Sequence, residues 1–218
     1  MGDLSLLQKI SIWIIPVLFA ITGHEVAHGW VASKLGDPTA KMLGRLSLNP
    51  LRHIDPVGTL LIPGLMLAFS PFVFGWAKPV PVTWQNLKRP KTDMIFVALA
   101  GPGANVLMAL FWVLVMRVGV GIYDSEDWMA IYLIYTGIAG ITINLILMVV
   151  NLLPIPPLDG GRVLVGLLPG PLAWKVSRIE PWGFFILIGL MVTGALGYLL
   201  TPVLSFLVSG FSRLGGIQ

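Results

Sequence analysis

Three side chains within one helical turn, His24, Glu25 and His28, could together hold a metal ion and activate a water; they read H-E-x-x-H. Two histidines at i and i+4 lie one turn apart on the same helix face, so both imidazoles can reach one cation. Glu25 is one residue on, about 100° round the helix, beside such a metal rather than beneath it. A general base for a metal-activated water belongs in that position. The motif sits in an apolar run from about Ile10 to Val31. Ionisable groups in such a run are costly to keep and point to function. An ordinary buried polar cluster is the competing reading of these residues taken alone.

A catalytic zinc usually takes three protein ligands and a water, and the motif supplies two. The chain has no cysteine, so a metal here is held by histidine and carboxylate. Two residues qualify as the third ligand. His53 lies in the polar stretch Arg52-His53-Ile54-Asp55, where a histidine is more often structural. Asp159 follows an apolar run and precedes Gly160 and Gly161, which let the backbone fold tightly and turn the carboxylate inward. On ligand logic Asp159 ranks ahead of His53.

The elements that must position these groups are membrane helices. Of the 218 residues, 56% are hydrophobic and 11% charged, and the mean hydropathy is +0.87. A soluble domain carries roughly 25% charged residues, so the composition implies a polytopic membrane protein. A single membrane-embedded domain over residues 1–218 is expected. The basic balance, 14 Lys and Arg against 10 Asp and Glu, lies in short loops between apolar runs. There it acts as an orientation signal rather than a nucleic-acid contact.

The fold class is mainly α, with four full transmembrane helices. The first carries the motif; it is longer than a signal-peptide core and is read as retained. His24 then lies roughly 21 Å along its span, past the middle of the bilayer. The others are Met94–Val118, Trp128–Leu153 and Trp182 to about Val208, the last with a break at Pro202. Met94–Val118 carries Gly101-Pro102-Gly103-Ala104-Asn105, whose small residues permit close helix contact. Residues 57–74 are apolar but interrupted by Pro63-Gly64 and Ser70-Pro71, which predicts a re-entrant or short fifth segment. Residues 162–180 read as short helices.

A small β element is expected from short pieces at Met42–Leu48 and an extended edge at Gly75–Val82, where Pro79 and Pro81 exclude a helix. Lys78, Val80 and Val82 keep their N–H groups at period two and face one side. Val80 and Val82 are therefore candidate substrate contacts, receiving an extended peptide by strand addition. A rigid Pro-rich connector is the alternative. The three basic stretches 34–56, 75–93 and 162–180 can all face the cytoplasm only if residues 57–74 enter and leave on one side. The motif helix then runs from outside to inside, with His24 nearer the cytoplasmic face.

His24-Glu25-x-x-His28 in a first span, with Asn151-x-x-Pro154-x-x-Pro157-Leu158-Asp159-Gly160-Gly161 after a later one, resembles the site-2 protease family of intramembrane zinc metalloproteases, peptidase family M50. The likeness covers most of residues 15–165. Asn49–Pro56 and Gly75–Val82 resemble a compact bacterial branch without PDZ or CBS domains. The resemblance implies one Zn2+ per chain held by His24, His28 and Asp159, with Glu25 as catalytic base. It implies a role for Asn151 at the substrate or oxyanion. It also implies cleavage of membrane protein substrates in or near their transmembrane segments, in a bacterial inner membrane, with no nucleic-acid partner. A metal-binding membrane transporter and a catalytically inactive membrane scaffold are the alternatives. Transporters commonly show internal repeats and midplane sites on broken helices; this sequence has neither a repeat nor a second ligand cluster, and metal binding alone needs no Glu25.

Overall fold

The computed structural model describes residues 4–61, 77–124 and 128–216. The first helix, α1 (Leu6–Leu35), opens with a reciprocal cap. Ser5 Oγ accepts from the Gln8 N–H at 3.3 Å and Gln8 Oε1 accepts from the Ser5 N–H at 2.8 Å. It closes on Gly36, whose left-handed φ of 118° lets its N–H reach the Ala32 carbonyl. At 30 residues it extends about 45 Å, long enough to cross a bilayer and emerge.

A single turn, α2 (Thr39–Met42), follows. The next long helix, α3 (Pro90–Gly121), starts with a proline at its first position. Asp93 in its first turn reaches back to accept from the Arg89 N–H at 2.8 Å. Then come α4 (Trp128–Asn151), α5 (Asp159–Leu167), α6 (Gly170–Ser177), α7 (Glu180–Val192) and α8 (Ala195–Leu214).

Helices α3 and α4 form the most extensive interface, and α1 crosses both. Ala109, Trp112, Val113 and Met116 of α3 interlock with Ile141 and Leu145 of α4. Leu204, Leu207, Val208 and Phe211 of α8 pack against that cluster. Lipid tails are as apolar as leucine, so close van der Waals fit rather than water exclusion holds such helices together. The connection from α1 to α3 begins and ends on one face of the bundle. The Lys88 N–H donates to the Leu35 carbonyl at 3.0 Å, and Asp37 accepts from the Thr83 N–H at 2.7 Å and Asn86 Nδ2 at 3.0 Å.

Among the described residues, α1, α3, α4 and α8 are long and apolar enough to cross a membrane. The last of these differs from expectation. The predicted 182–208 span breaks at Gly194 (φ 72°) instead of Pro202. Thr193 Oγ1 donates to the Gly189 carbonyl at 2.8 Å, and the left-handed glycine ends α7 after 13 residues. Pro202 is kept inside α8.

The expected small β element is a further correction: the described residues contain no strand. Met42–Leu48 begins as the end of α2, and a turn at Gly44 (φ 63°) leads into irregular backbone. Along residues 77–83 the main-chain donors find scattered partners instead of a ladder. The Lys78 N–H goes to the His53 carbonyl at 2.8 Å, while those of Val80 and Thr83 go to the side chains of Glu25 and Asp37. Of the expected fifth segment, residues 56–61 form a π-helical turn capped by Asp55, whose Oδ1 accepts from the Val57 and Gly58 N–H groups. Residues 62–74 of that segment, and Gly75 and Trp76 of the predicted edge, lie outside the described residues.

Candidate metal centre

His24 and His28 are buried on the inner face of α1. Their Nε2 atoms lie 3.0 Å apart, and Asp159 Oδ2 sits 3.2 Å from the first and 3.3 Å from the second. Asp159 reaches them because the chain doubles back after α4. It turns through Pro154–Pro157, with a cis peptide between Pro156 and Pro157, and enters α5 at Asp159. Gly160 and Gly161 lie so close to the backbone of residues 152–156 that a Cβ at either would overlap it. A side chain there would push α5, and the carboxylate, away from α1.

Helix α3 supplies the wall behind the two imidazoles. His28 Nδ1 donates to the Val97 carbonyl at 2.7 Å, and His24 Nδ1 meets Asn105 Oδ1 at 2.6 Å. Asn105 Nδ2 faces two acceptors, Asn144 Oδ1 at 2.9 Å and the Ala20 carbonyl at 3.3 Å, so its oxygen is the atom that accepts from His24. Between them Gly101 leaves the space: a Cβ there would press on both rings. Residues 97, 101 and 105 are spaced one turn apart and match the one-turn spacing of the histidines.

These bonds decide whether the site fits a metal. With Nδ1 protonated on both rings, both Nε2 atoms present bare lone pairs to each other and to Asp159 Oδ2, a buried oxygen with no hydrogen-bond partner. Three electron-pair donors crowded together in a buried site repel unless a cation lies among them. Tetrahedral zinc with ligand bonds near 2.0–2.2 Å sets its donor atoms roughly 3.3–3.5 Å apart. The observed spacings are close to that. Among the described residues, His24, His28 and Asp159 are the one group that could hold a metal ion. His53 is elsewhere, buried in the loop before the π-helical turn with its Nε2 bonded to the Ser47 carbonyl at 2.8 Å.

The three donors open on a cavity of about 310 Å³ that Glu25, Val80, Val82 and Asn151 also line. Glu25 Oε2 accepts from the Val80 N–H at 2.7 Å. Asn151 donates its amide to the Leu147 carbonyl of its own helix at 2.9 Å. Arg162, one turn beyond Asp159, edges the same cavity, its guanidinium 4.9 Å from the Trp84 ring.

The Val97 carbonyl, Gly101 and Asn105 are the residues that sequence reasoning missed as parts of the site. Their signal was available only in part. An asparagine four residues after a glycine in an apolar span marks a polar inner face, but nothing in the spacing says which histidine it meets.

An α-helical membrane protein whose spans close on a buried cluster of two histidines and a carboxylate, with a second carboxylate beside it, has the architecture of a membrane-embedded metallohydrolase. The profile of Peptidase family M50 matches residues 117–193. YwhC of Bacillus subtilis, named as a candidate zinc metalloprotease, is 39% identical over 199 residues, covering 88% of this chain and 85% of its own. Rip2 of Mycolicibacterium smegmatis, named likewise, is 30% identical over 87% of this chain and 71% of its own. MJ0611 of Methanocaldococcus jannaschii, also so named, is 35% identical over 82% of each. No solved structure matches the chain. The chain belongs to peptidase family M50.

Proposed function

We propose that this protein is an intramembrane zinc metalloprotease that hydrolyses peptide bonds in or near the transmembrane segments of membrane proteins. The observation that carries this is the convergence of His24 Nε2, His28 Nε2 and Asp159 Oδ2 within 3.0–3.3 Å, in a cavity shared with Glu25. His24, His28 and Asp159 are the proposed zinc ligands. Zinc held there supplies Lewis-acid chemistry, polarising a carbonyl and acidifying a water. Glu25 is the proposed base: it takes a proton from the attacking water and returns it to the leaving amine. Asn105 and the Val97 carbonyl fix the imidazole tautomers, so that each ring turns its lone pair inward.

A transmembrane helix satisfies its own N–H and C=O groups and hides them, so the substrate must be locally extended before attack. Val80, Val82 and Asn151 are proposed to contact that extended stretch, since they line the cavity. Asn151 keeps one amide hydrogen on the Leu147 carbonyl and has its second hydrogen and Oδ1 for the substrate. The basic residues around 34–56, 78–91 and 162–178 support a placement with the zinc nearer the cytoplasmic face of a bacterial inner membrane. Residues 1–218 are proposed to act as one membrane-embedded domain.

The test is a reconstituted cleavage assay on a transmembrane peptide, with products read by mass spectrometry. Glu25→Gln is expected to retain its zinc and lose activity by about 10²–10⁴-fold, the usual contribution of a general base. Near-parental turnover by Glu25→Gln would remove Glu25 from the mechanism.

A further inference from the structure

The N–H of Val80 donates to Glu25 Oε2 at 2.7 Å. Building on the protease reading, we propose that this main-chain amide is a positioning group for the base, and that the segment around it serves catalysis by aiming Glu25.

The segment is built to present one amide there. Pro79 and Pro81 have no N–H, so Val80 carries the sole main-chain donor between Lys78 and Val82. Its position is set from both sides. The Lys78 N–H donates to the His53 carbonyl at 2.8 Å, and Arg45 Nη2 donates to the Lys78 carbonyl at 3.0 Å. On the other side the Thr83 N–H donates to Asp37 at 2.7 Å. Val80 itself is buried and seats over Gly29 of α1, where a Cβ would fall 2.6 Å from Val80 Cγ1. Gly29 lies one turn beyond Glu25, so the same helix that bears the base also bears the seat.

The chemistry follows from the two carboxylate oxygens. A glutamate side chain has three free torsions and would sample several poses in the cavity. A charge-assisted bond to a fixed amide removes most of that freedom. The N–H holds Oε2, so Oε1 is the oxygen left to face the attacking water. An amide bonded to Glu25 is not at the same time a donor to a substrate strand. Any peptide lying along residues 78–82 must therefore pair through other groups.

The experiment replaces the Val80 amide by an ester, which deletes the N–H alone, with Val80→Pro as the second form. Each is purified with its zinc and assayed on a transmembrane peptide. The same peptide is also titrated against each form carrying Glu25→Gln, which reports substrate affinity without turnover. Positioning predicts that kcat falls about 10–100-fold, as small misplacements of a reacting group do. In the ester form, which keeps the Val80 side chain, KM, peptide Kd and zinc content stay unchanged. A rise in KM and Kd with kcat held would make the amide a substrate donor and overturn the proposal. Unchanged kinetics, or loss of zinc from the ester form, would overturn it too. A zinc-loaded parent that cleaves no transmembrane peptide would overturn the protease reading itself, whereas a cleaving parent matched by its ester form would sink this inference alone.

Discussion

Asp159 and His53 are both buried, yet their surroundings ask different things of them. Asp159 turns an unpartnered oxygen toward two imidazoles, while His53 is bonded into its own loop at Ser47. Asp159→Ala should therefore lose zinc affinity by about 3–4 kcal/mol, roughly a quarter of the 10–16 kcal/mol typical of a structural zinc site. His53→Ala should keep its zinc; metal analysis of the two purified variants separates them. The histidine pair was legible in the sequence because its geometry is local: four residues fix both side chains on one helix face. The partners of those histidines were not, because Val97 and Asn105 stand 69 and 81 positions away and meet α1 only through packing. Asn151 shows the opposite failing. Its place at the end of α4 was readable, but its bond to the Leu147 carbonyl depends on a rotamer.

Long apolar runs marked the spanning helices, since a bilayer demands about 20 such residues in a row. Element ends were less legible. Gly194 outweighed Pro202 as a breaker, because a left-handed glycine ends a helix outright whereas a proline inside a membrane helix is accommodated. The alternating prolines of the Gly75–Val82 stretch did exclude a helix over its described residues 77–82, but pattern alone could not show that the Val80 and Thr83 donors would turn to Glu25 and Asp37 instead of a strand. Asp37 is the anchor of that stretch. It is buried at the end of α1 and takes hydrogen bonds from Thr39, Thr83 and Asn86. Burial pushes its carboxyl up, and the bonds from Thr39, Asn86 and Thr83 outweigh this and hold it below the ordinary carboxylate value. A lowered folded value means that the charged form stabilises the fold. That stability is fully present above the unfolded value near 3.9 and is lost as pH falls through the folded value below it. Asp37→Asn should lower stability at pH 7 by about 1–3 kcal/mol, the scale of bonds to a charged group, and should flatten the acid limb of the unfolding curve. Thermal melts in detergent across the acid range would check this, and parallel acid limbs in parent and variant would clear Asp37 of the role.

For the whole molecule, the bond between Lys88 and Leu35 places the two ends of the α1–α3 connection together. Loops 34–56 and 75–93 should then be reached from the same side of the membrane, the cytoplasmic side by their Lys and Arg content. Single cysteines at the exposed positions Lys41 and Gln85 test this in a chain with no native cysteine. Labelling of both by an impermeant thiol reagent from the cytoplasmic side is expected, and labelling from opposite sides would invert α1. The proposed ligand set spans the chain, with residues 29–158 lying between His28 and Asp159. A metal at that point would be a clasp: it would join the first helix to the corner after α4 and close a ring that contains all of α3 and α4. Such a tie would restrict the unfolded chain as a disulfide does, in a protein that has no cysteine to make one. A chelator would act on this fold as a reductant acts on a cystine-bridged one, freeing the corner from α1 while every helix keeps its own backbone bonds.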